Sequence, residues 1–326
     1  MSNLKNRILF QASRDLAEIE EELKKGLNPY LDLVSKVGNY ILFSGGKRVR
    51  PLLMVLSAKL CGGFCNNHKA LSVMFEYLHA ATLLHDDVVD EAQVRRGKAV
   101  SHTIWGSATT VLVGDFLLAK TMSTAAASGN LQVVEIISNT TAQMSEGEIY
   151  QLLNKRKLNL EEPEYLEIIR RKTACLMEAA CSIGAIVAGA HIERQTALAS
   201  YGNNIGIAFQ IRDDLLDYTA DSGTLGKEAG SDLREGIITL PLIYALKNAE
   251  GHAKSRMEEI VRGGADSDSM MEEMFSYINR YGGIEYAQAR ANHYAATAKN
   301  DLAIFDDSET KSLMVDLADY TVTRGH

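Results

Sequence analysis

An all-helical fold follows from three features of this 326-residue chain. It holds only four prolines, Pro29, Pro51, Pro163 and Pro241, so long stretches contain no strong helix breaker. Apolar residues recur at helical spacing through most of those stretches. Residues 107–128 are rich in Ala, Val and Leu with small residues on several faces, as suits a central buried helix. The length is within reach of one large helical core, and 1–326 reads as a single domain.

Residues 3–25 predict an amphipathic helix with an acidic outer face. A second helical pattern spans 29–43 and ends at Ser44-Gly45-Gly46. Three basic residues, Lys47, Arg48 and Arg50, then precede a helix that Pro51 can open. Residues 68–91 predict a long helix with an acidic tip, followed by the basic turn Arg95-Arg96-Gly97-Lys98. Helical patterns continue over 131–154, 163–190 and 193–219, the last with a second acidic tip. Residues 221–236 read as a glycine-rich, charged loop, and 238–322 as shorter amphipathic helices. No tandem repeat or low-complexity tract stands out.

Hydrophobic residues make up 46% of the chain and charged residues 23%, an ordinary globular balance. The net charge of −8 argues against a nucleic-acid partner. Clustered Lys and Arg beside metal ions can still reverse the local field for anionic ligands. Cys61, Cys65, Cys175 and Cys181 form neither a disulfide framework nor a zinc pattern, and read as reduced thiols. The start lacks an apolar signal core, and no apolar run approaches the roughly 20 residues that span a bilayer. The expectation is a cytoplasmic protein without a membrane span.

The chemistry lies in His85-Asp86-Asp87-Val88-Val89-Asp90. On a helix, residues four apart sit about 40° apart, so Asp86 and Asp90 share a face with Asp87 beside it. Carboxylates this close repel, and a hard divalent cation relieves the repulsion. Mg²⁺ accepts one or two carboxylates and fills its shell with water and phosphate oxygens. Alone, such a cluster is as well explained by a solvated helix end. Asp213-Asp214-Leu215-Leu216-Asp217 repeats the spacing on another predicted helix, and two facing sets can clamp metal ions around one diphosphate.

Basic residues form a third set. Lys47, Arg50, Arg95, Arg96, Lys172 with Thr173, and Lys227 would each be ordinary surface charge alone. Together with two acidic clusters they imply two diphosphates, one held through metals and one directly. His79 lies two helical turns before Asp86 on nearly the same face, as a ligand or a structural residue. No Ser-His-Asp or Cys-His pattern, Walker loop or dinucleotide fingerprint is present.

The segments GGKRVRP, HDDVVDEAQVRRGK, VLVGDFLLAK, EGEIYQL, KTACL, GIAFQIRDDLLDY and LGKEAGSDLREGIITLPLIYAL resemble the trans-type polyprenyl diphosphate synthases. The resemblance runs in order from about residue 40 to 250 and points to a long-chain, octaprenyl-like member. It implies an isoprenoid synthase fold, a large helical bundle around a deep central cavity, acting as a homodimer. It implies Mg²⁺, about three ions per site, held by Asp86, Asp90 and Asp213, with Asp87, Asp214 and Asp217 as further ligands. It assigns Arg95, Lys172, Thr173, Gln210 and Lys227 to an allylic diphosphate, and Lys47, Arg50, His79 and Arg96 to isopentenyl diphosphate. Asp86, Asp87, Asp90, Asp213, Lys172, Gln210 and Lys227 form its catalytic set.

The implied reaction begins with ionisation of the allylic C–O bond as electron density moves onto the departing diphosphate. An apolar pocket shields the carbocation from water. The double bond of isopentenyl diphosphate attacks, and a proton is lost, for which the released diphosphate is a candidate acceptor. No carboxylate serves as nucleophile.

Short-chain relatives commonly place bulky aromatic residues four or five positions before the first aspartate. Here those positions are Thr82 and Ala81, both small. The pocket is then open one turn below the metals, and Ala81→Phe is expected to shorten the product without abolishing turnover. Leu78, Tyr77 and Met74 come next. Tyr77 either floors the tunnel or packs against a neighbouring helix. The helix rises about 18 Å from Met74 to Asp86, which with a path past its end, or a limit at Met122, suggests about six to ten isoprene units. Farnesyl or geranylgeranyl synthesis is the alternative. A cyclase is disfavoured by the intact DDLLD and GGKRVR, and a non-catalytic subunit by the retention of both acidic motifs.

Overall fold

The computed structural model describes residues 2–63, 68–95, 97–219, 230–264 and 267–324. Among these, helices α1 Ser2–Gly26, α2 Asp32–Leu42, α3 Val49–Leu60, α4 His68–Ser72 and α5 Met74–Val89 lead into a small hairpin. That hairpin pairs β1 Val94–Arg95 antiparallel with β2 Lys98–Ala99. Then come α6 Ser101–Trp105, α7 Ser107–Ala127, α8 Leu131–Leu153 and α9 Glu162–Ile169. A π-helical turn, Arg170–Ala174, joins α9 to α10 Cys175–Val187, and α11 Ile192–Thr219 follows. The chain ends with α12 Ser231–Arg234, α13 Leu240–Asn248, α14 Gly251–Gly263, α15 Asp268–Arg280, α16 Gly283–Asp301 and α17 Glu309–Thr323.

Apart from the short hairpin, the described residues form the all-helical architecture that the sequence leads one to expect. Two predicted helices are subdivided. The 68–91 helix has a turn at Val73, where the backbone stays right-handed. The 163–190 helix carries the π turn at Arg170–Ala174, where one extra residue per turn re-aims the side chains.

The main core joins α3, α5, α8, α10 and α11 through fully buried Leu53, Met54, Phe75, Leu78, Leu176 and Tyr201. A second cluster fills the C-terminal half around Ile211, Leu240 and Met274. A third lies between α1, α2, α5 and α7, around Leu23, Val37, Tyr77 and Leu117. No helix among the described residues is long and apolar enough to cross a membrane.

Glycine sets the closest helix approaches. A Cβ on Gly147 of α8 would stand 2.6 Å from the Lys172 nitrogen, and one on Gly206 of α11 would stand 2.6 Å from Ala174 Cα. These two glycines therefore let α8 and α11 close on the π turn from both sides. Gly184 of α10 plays the same part against α3, where a Cβ would meet the Met54 carbonyl oxygen at 2.3 Å. Backbone cannot yield as a side-chain tip can. Gly184→Val is expected to cost about 1–3 kcal/mol, read as a lower urea midpoint at unchanged slope.

Candidate active site

Both acidic motifs sit at C-terminal helix ends, and each motif divides its carboxylates between two environments. On α5, Asp86 faces Glu148 and Lys172. Burial, together with repulsion from Glu148, pushes Asp86 up to about 7 against the opposing pull of Lys172. Asp87 is 1% exposed and accepts a 2.8 Å hydrogen bond from Arg95 Nε of β1. Asp90 ends the helix, with Lys155 Nζ at 3.9 Å.

Lys172 on the π turn pairs with Glu148 of α8 at 2.6 Å. Burial pulls its ammonium down, but the charge and hydrogen bond of Glu148 and the charges of Asp86 and Asp90 leave it above its ordinary value. Lys172 therefore remains a cation, held between carboxylates from α5 and α8.

On α11, Asp213 points outward and pairs with Arg324, beyond the end of α17. Asp214 is buried; Tyr165 Oη donates to its Oδ2 at 2.6 Å and Gln210 Nε2 to its Oδ1 at 2.8 Å. Burial pushes its pKa up despite those two bonds. Thr173 Oγ1 donates to Gln210 Oε1 at 2.9 Å, so Thr173, Gln210, Asp214 and Tyr165 form one polar chain. Asp217 accepts from the Ser231 and Asp232 backbone nitrogens, both at 3.1 Å, and so holds the start of α12. A cavity of about 110 Å³ opens beside this chain, lined by Tyr165, Lys172, Thr173, Gln210, Asp214 and Thr239.

No three His, Cys, Asp or Glu side chains among the described residues converge to hold a metal by themselves. The donor set still fits Mg²⁺, which needs only one or two carboxylates when phosphate oxygens and water complete its shell. Asp86 is such a carboxylate: half-buried, facing another carboxylate, and relieved by any added cation.

The sequence profile of the polyprenyl synthetase family matches residues 31–278. The chain belongs to that family. As a polyprenyl synthetase it is a prenyltransferase. It is 36% identical to the octaprenyl diphosphate synthase of Escherichia coli K12, over 96% of both chains. It is 35% identical to the all-trans-nonaprenyl-diphosphate synthase of Rhodobacter capsulatus, over 99% of this chain and 98% of that one. A crystal structure of polyprenyl synthase from Caulobacter crescentus, complexed with calcium and isoprenyl diphosphate, superposes with a TM-score of 0.92 at 36% identity. That match covers 98% of this chain and 97% of the other.

Within this polyprenyl synthetase, Lys47 is exposed, with Nζ 5.7 Å from the Tyr320 ring centre, and Arg50 and His79 are half-buried. Arg96 and Lys227 lie outside the described residues. Helical geometry puts His79 and Phe75 each about 20° from Asp86 around α5, and Thr82 about 40° away. Ala81 is about 140° away and Tyr77 about 180° away. Burial agrees. Thr82 is half-buried, its hydroxyl donating to the His79 carbonyl at 3.0 Å. Ala81 and Tyr77 are fully buried in the cluster between α1, α2, α5 and α7.

A Cβ on Gly26 of α1 would strike the Tyr77 hydroxyl, so Tyr77 packs against a neighbouring helix and does not floor a tunnel on the Asp86 face. Met74, Phe75 and Leu78 are all packed into the main core, and Phe75 is the bulky residue that shares the face of Asp86. Met122 is half-buried against the same core, with Ser138 of α8 donating to its sulfur at 3.8 Å.

Sequence reasoning missed Glu148, Tyr165 and Lys155. Glu148 stood inside the quoted EGEIYQL segment, but nothing in the sequence told that α8 would turn it toward Asp86. Tyr165 carried no pattern at all.

The raised Asp86 carboxyl has a consequence for stability. The folded protein keeps that proton to about 7, whereas an unfolded aspartate releases it near 3.8. Metal-free wild type is therefore expected to lose stability relative to Asp86→Asn as pH rises through that window. Denaturant unfolding of both proteins at pH 4 and pH 7.5 checks it. A difference that does not change with pH sinks the assignment.

Proposed function

We propose that the chain condenses isopentenyl diphosphate repeatedly onto an allylic diphosphate, giving a long-chain all-trans polyprenyl diphosphate. The observation that carries this reading is the grouping of Asp86, Glu148 and Lys172 beside the Thr173–Gln210–Asp214 chain. It supplies one strong cation, Lys172, which lines a cavity, and beside it Asp86, a carboxylate short of a partner. Mg²⁺ held through Asp86, Asp90 and Asp213 would supply the charge that stabilises the departing diphosphate, with Asp87, Asp214 and Asp217 as further candidates for the acidic shell.

Lys172 and Arg95 offer hydrogen bonds to the oxygens on which negative charge develops. Thr173, oriented by Gln210, fixes the allylic diphosphate beside them, with Lys227 as a further cation. Lys47, Arg50, His79 and Arg96 hold isopentenyl diphosphate directly. Arg95 reaches the site while tied to Asp87, so Asp87 acts by positioning Arg95 as well as by its own charge. The apolar face below Asp86 excludes water from the carbocation.

A homodimer is part of this reading. It is supported by an apolar face on α7 and α8, where Leu112, Leu131, Ile149 and Leu153 are exposed. The single-domain organisation over 1–326 is part of it too, supported by α11 packing on both α10 and α16.

A long product is supported by small Thr82 and half-buried His79 on the Asp86 face, and by the names of the octaprenyl and nonaprenyl relatives. A shorter product is the second reading, favoured by Phe75, about 16 Å below Asp86 on that face. Chromatography of products made from farnesyl and isopentenyl diphosphates with Mg²⁺ separates them. About six to ten units is expected, and a dominant geranylgeranyl product would overturn the long-chain reading.

Thr82→Phe should shorten the product at near-wild-type thermal stability. Ala81→Phe should shorten it only where the growing chain also runs between α5 and α7, about 140° from the Asp86 face, and should lower the melting temperature because it overpacks a fully buried cluster. Unchanged product length in both variants removes this end of α5 from the product path.

A further inference from the structure

We propose that Arg48 is a positioning residue for the isopentenyl diphosphate subsite, tying the α2–α3 junction, with Lys47 just before it and Arg50 in the first turn of α3, to the helix that carries His79. This rests on the function proposed above. Arg48 itself is committed to contacts with α1, α2 and α5. Its side chain is 7% exposed, and all three guanidinium nitrogens are used. Nε donates to Glu20 Oε1 of α1 at 2.6 Å, Nη1 to Glu76 Oε2 of α5 at 2.9 Å, and Nη2 to the Leu42 carbonyl of α2 at 2.7 Å. One planar group thus fixes three elements to the loop between α2 and α3.

The backbone at Arg48 is left-handed, with φ 50° and ψ 34°, a region where non-glycine residues are uncommon. Such a conformation persists where its surroundings over-determine it. Here the three hydrogen bonds do so, and Lys47 and Arg50 stand one residue before and two residues after that buried anchor. The other end of the link is equally specific. Glu76 lies one turn before His79 on α5, a rise of about 4.5 Å. The Arg48–Glu76 pair therefore ties the backbone between Lys47 and Arg50 to the helix of His79, three groups that the proposed function directs at one diphosphate. Stability alone would not demand this device, because a buried ion pair is often replaceable by apolar residues without loss. Lysine cannot reproduce it, since a single ammonium cannot serve three acceptors spread around a planar fork.

Steady-state kinetics with each substrate varied in turn tests the link, alongside circular-dichroism melts. Wild-type turnover tests the proposed function first; its absence sinks that function and this inference with it. Given an active wild type, Arg48→Lys is expected to raise the KM for isopentenyl diphosphate about tenfold, equivalent to about 1.4 kcal/mol. Its kcat and its KM for the allylic substrate should stay within about twofold. Glu76→Gln keeps the shape and one acceptor, and should raise the same KM by about threefold in a folded protein. A folded Arg48→Lys with unchanged isopentenyl KM overturns the inference, as does an equal rise for both substrates. If Arg48→Lys fails to fold, Glu76→Gln decides by the same split. Failure of both to fold also overturns it, because the link would then serve folding alone.

Discussion

Asp86 and Glu148 approach each other from α5 and α8 with Lys172 between them. Lys172 faces these two carboxylates, while Asp90 at the end of the helix has Lys155 at 3.9 Å. Partial burial makes each uncompensated charge more expensive than it would be in water. The folded chain holds this imbalance because α8 and α11 close tightly on the π turn through Gly147 and Gly206. A π turn at that point widens the helix by one residue and turns Lys172 and Thr173 toward the carboxylates. The charge imbalance and the backbone irregularity are thus one feature. A regular helix would leave Lys172 in a different direction and Asp86 without its nearest cation.

The two acidic motifs look alike as strings but are used differently. In the first, Asp86 is the carboxylate short of a partner, while Asp87 anchors Arg95 of the hairpin. In the second, Asp213 is the outward group, Asp214 is buried on Tyr165 and Gln210, and Asp217 holds the start of α12. A DDxxD string therefore combines ligand-like carboxylates with others that fix the scaffold around them. Removing a scaffold carboxylate would leave buried donors such as the Tyr165 hydroxyl unpaired, a cost separate from any loss of metal.

The helices were legible because apolar spacing and the scarcity of proline act locally, and the acidic motifs because carboxylate spacing on a helix is fixed by its pitch. What escaped depends on contact between distant elements. Glu148 matters because α8 meets α5, Tyr165 because α9 meets α11, and the π turn because two glycines from other helices press on it. The face of Tyr77 could have been read from the sequence, since nine residues at helical pitch put it opposite Asp86. The same pitch puts Phe75, eleven residues before Asp86, on its face.

Helix α5 brings these strands of argument together. Its Asp86 end carries the charge, His79 lies two turns along the same face, and Glu76, a turn further, links the helix to Arg48. Thr82 lies on that face between them, and Phe75 lies below. The proposed diphosphate contacts and the proposed path of the growing chain are therefore laid out along one rigid rod at spacings set by helical rise. A change of bulk at Thr82 or Phe75 alters the space below without moving the carboxylates, because side chains change while the rod's pitch does not. In such a scaffold, product length can vary between relatives while the diphosphate chemistry stays the same.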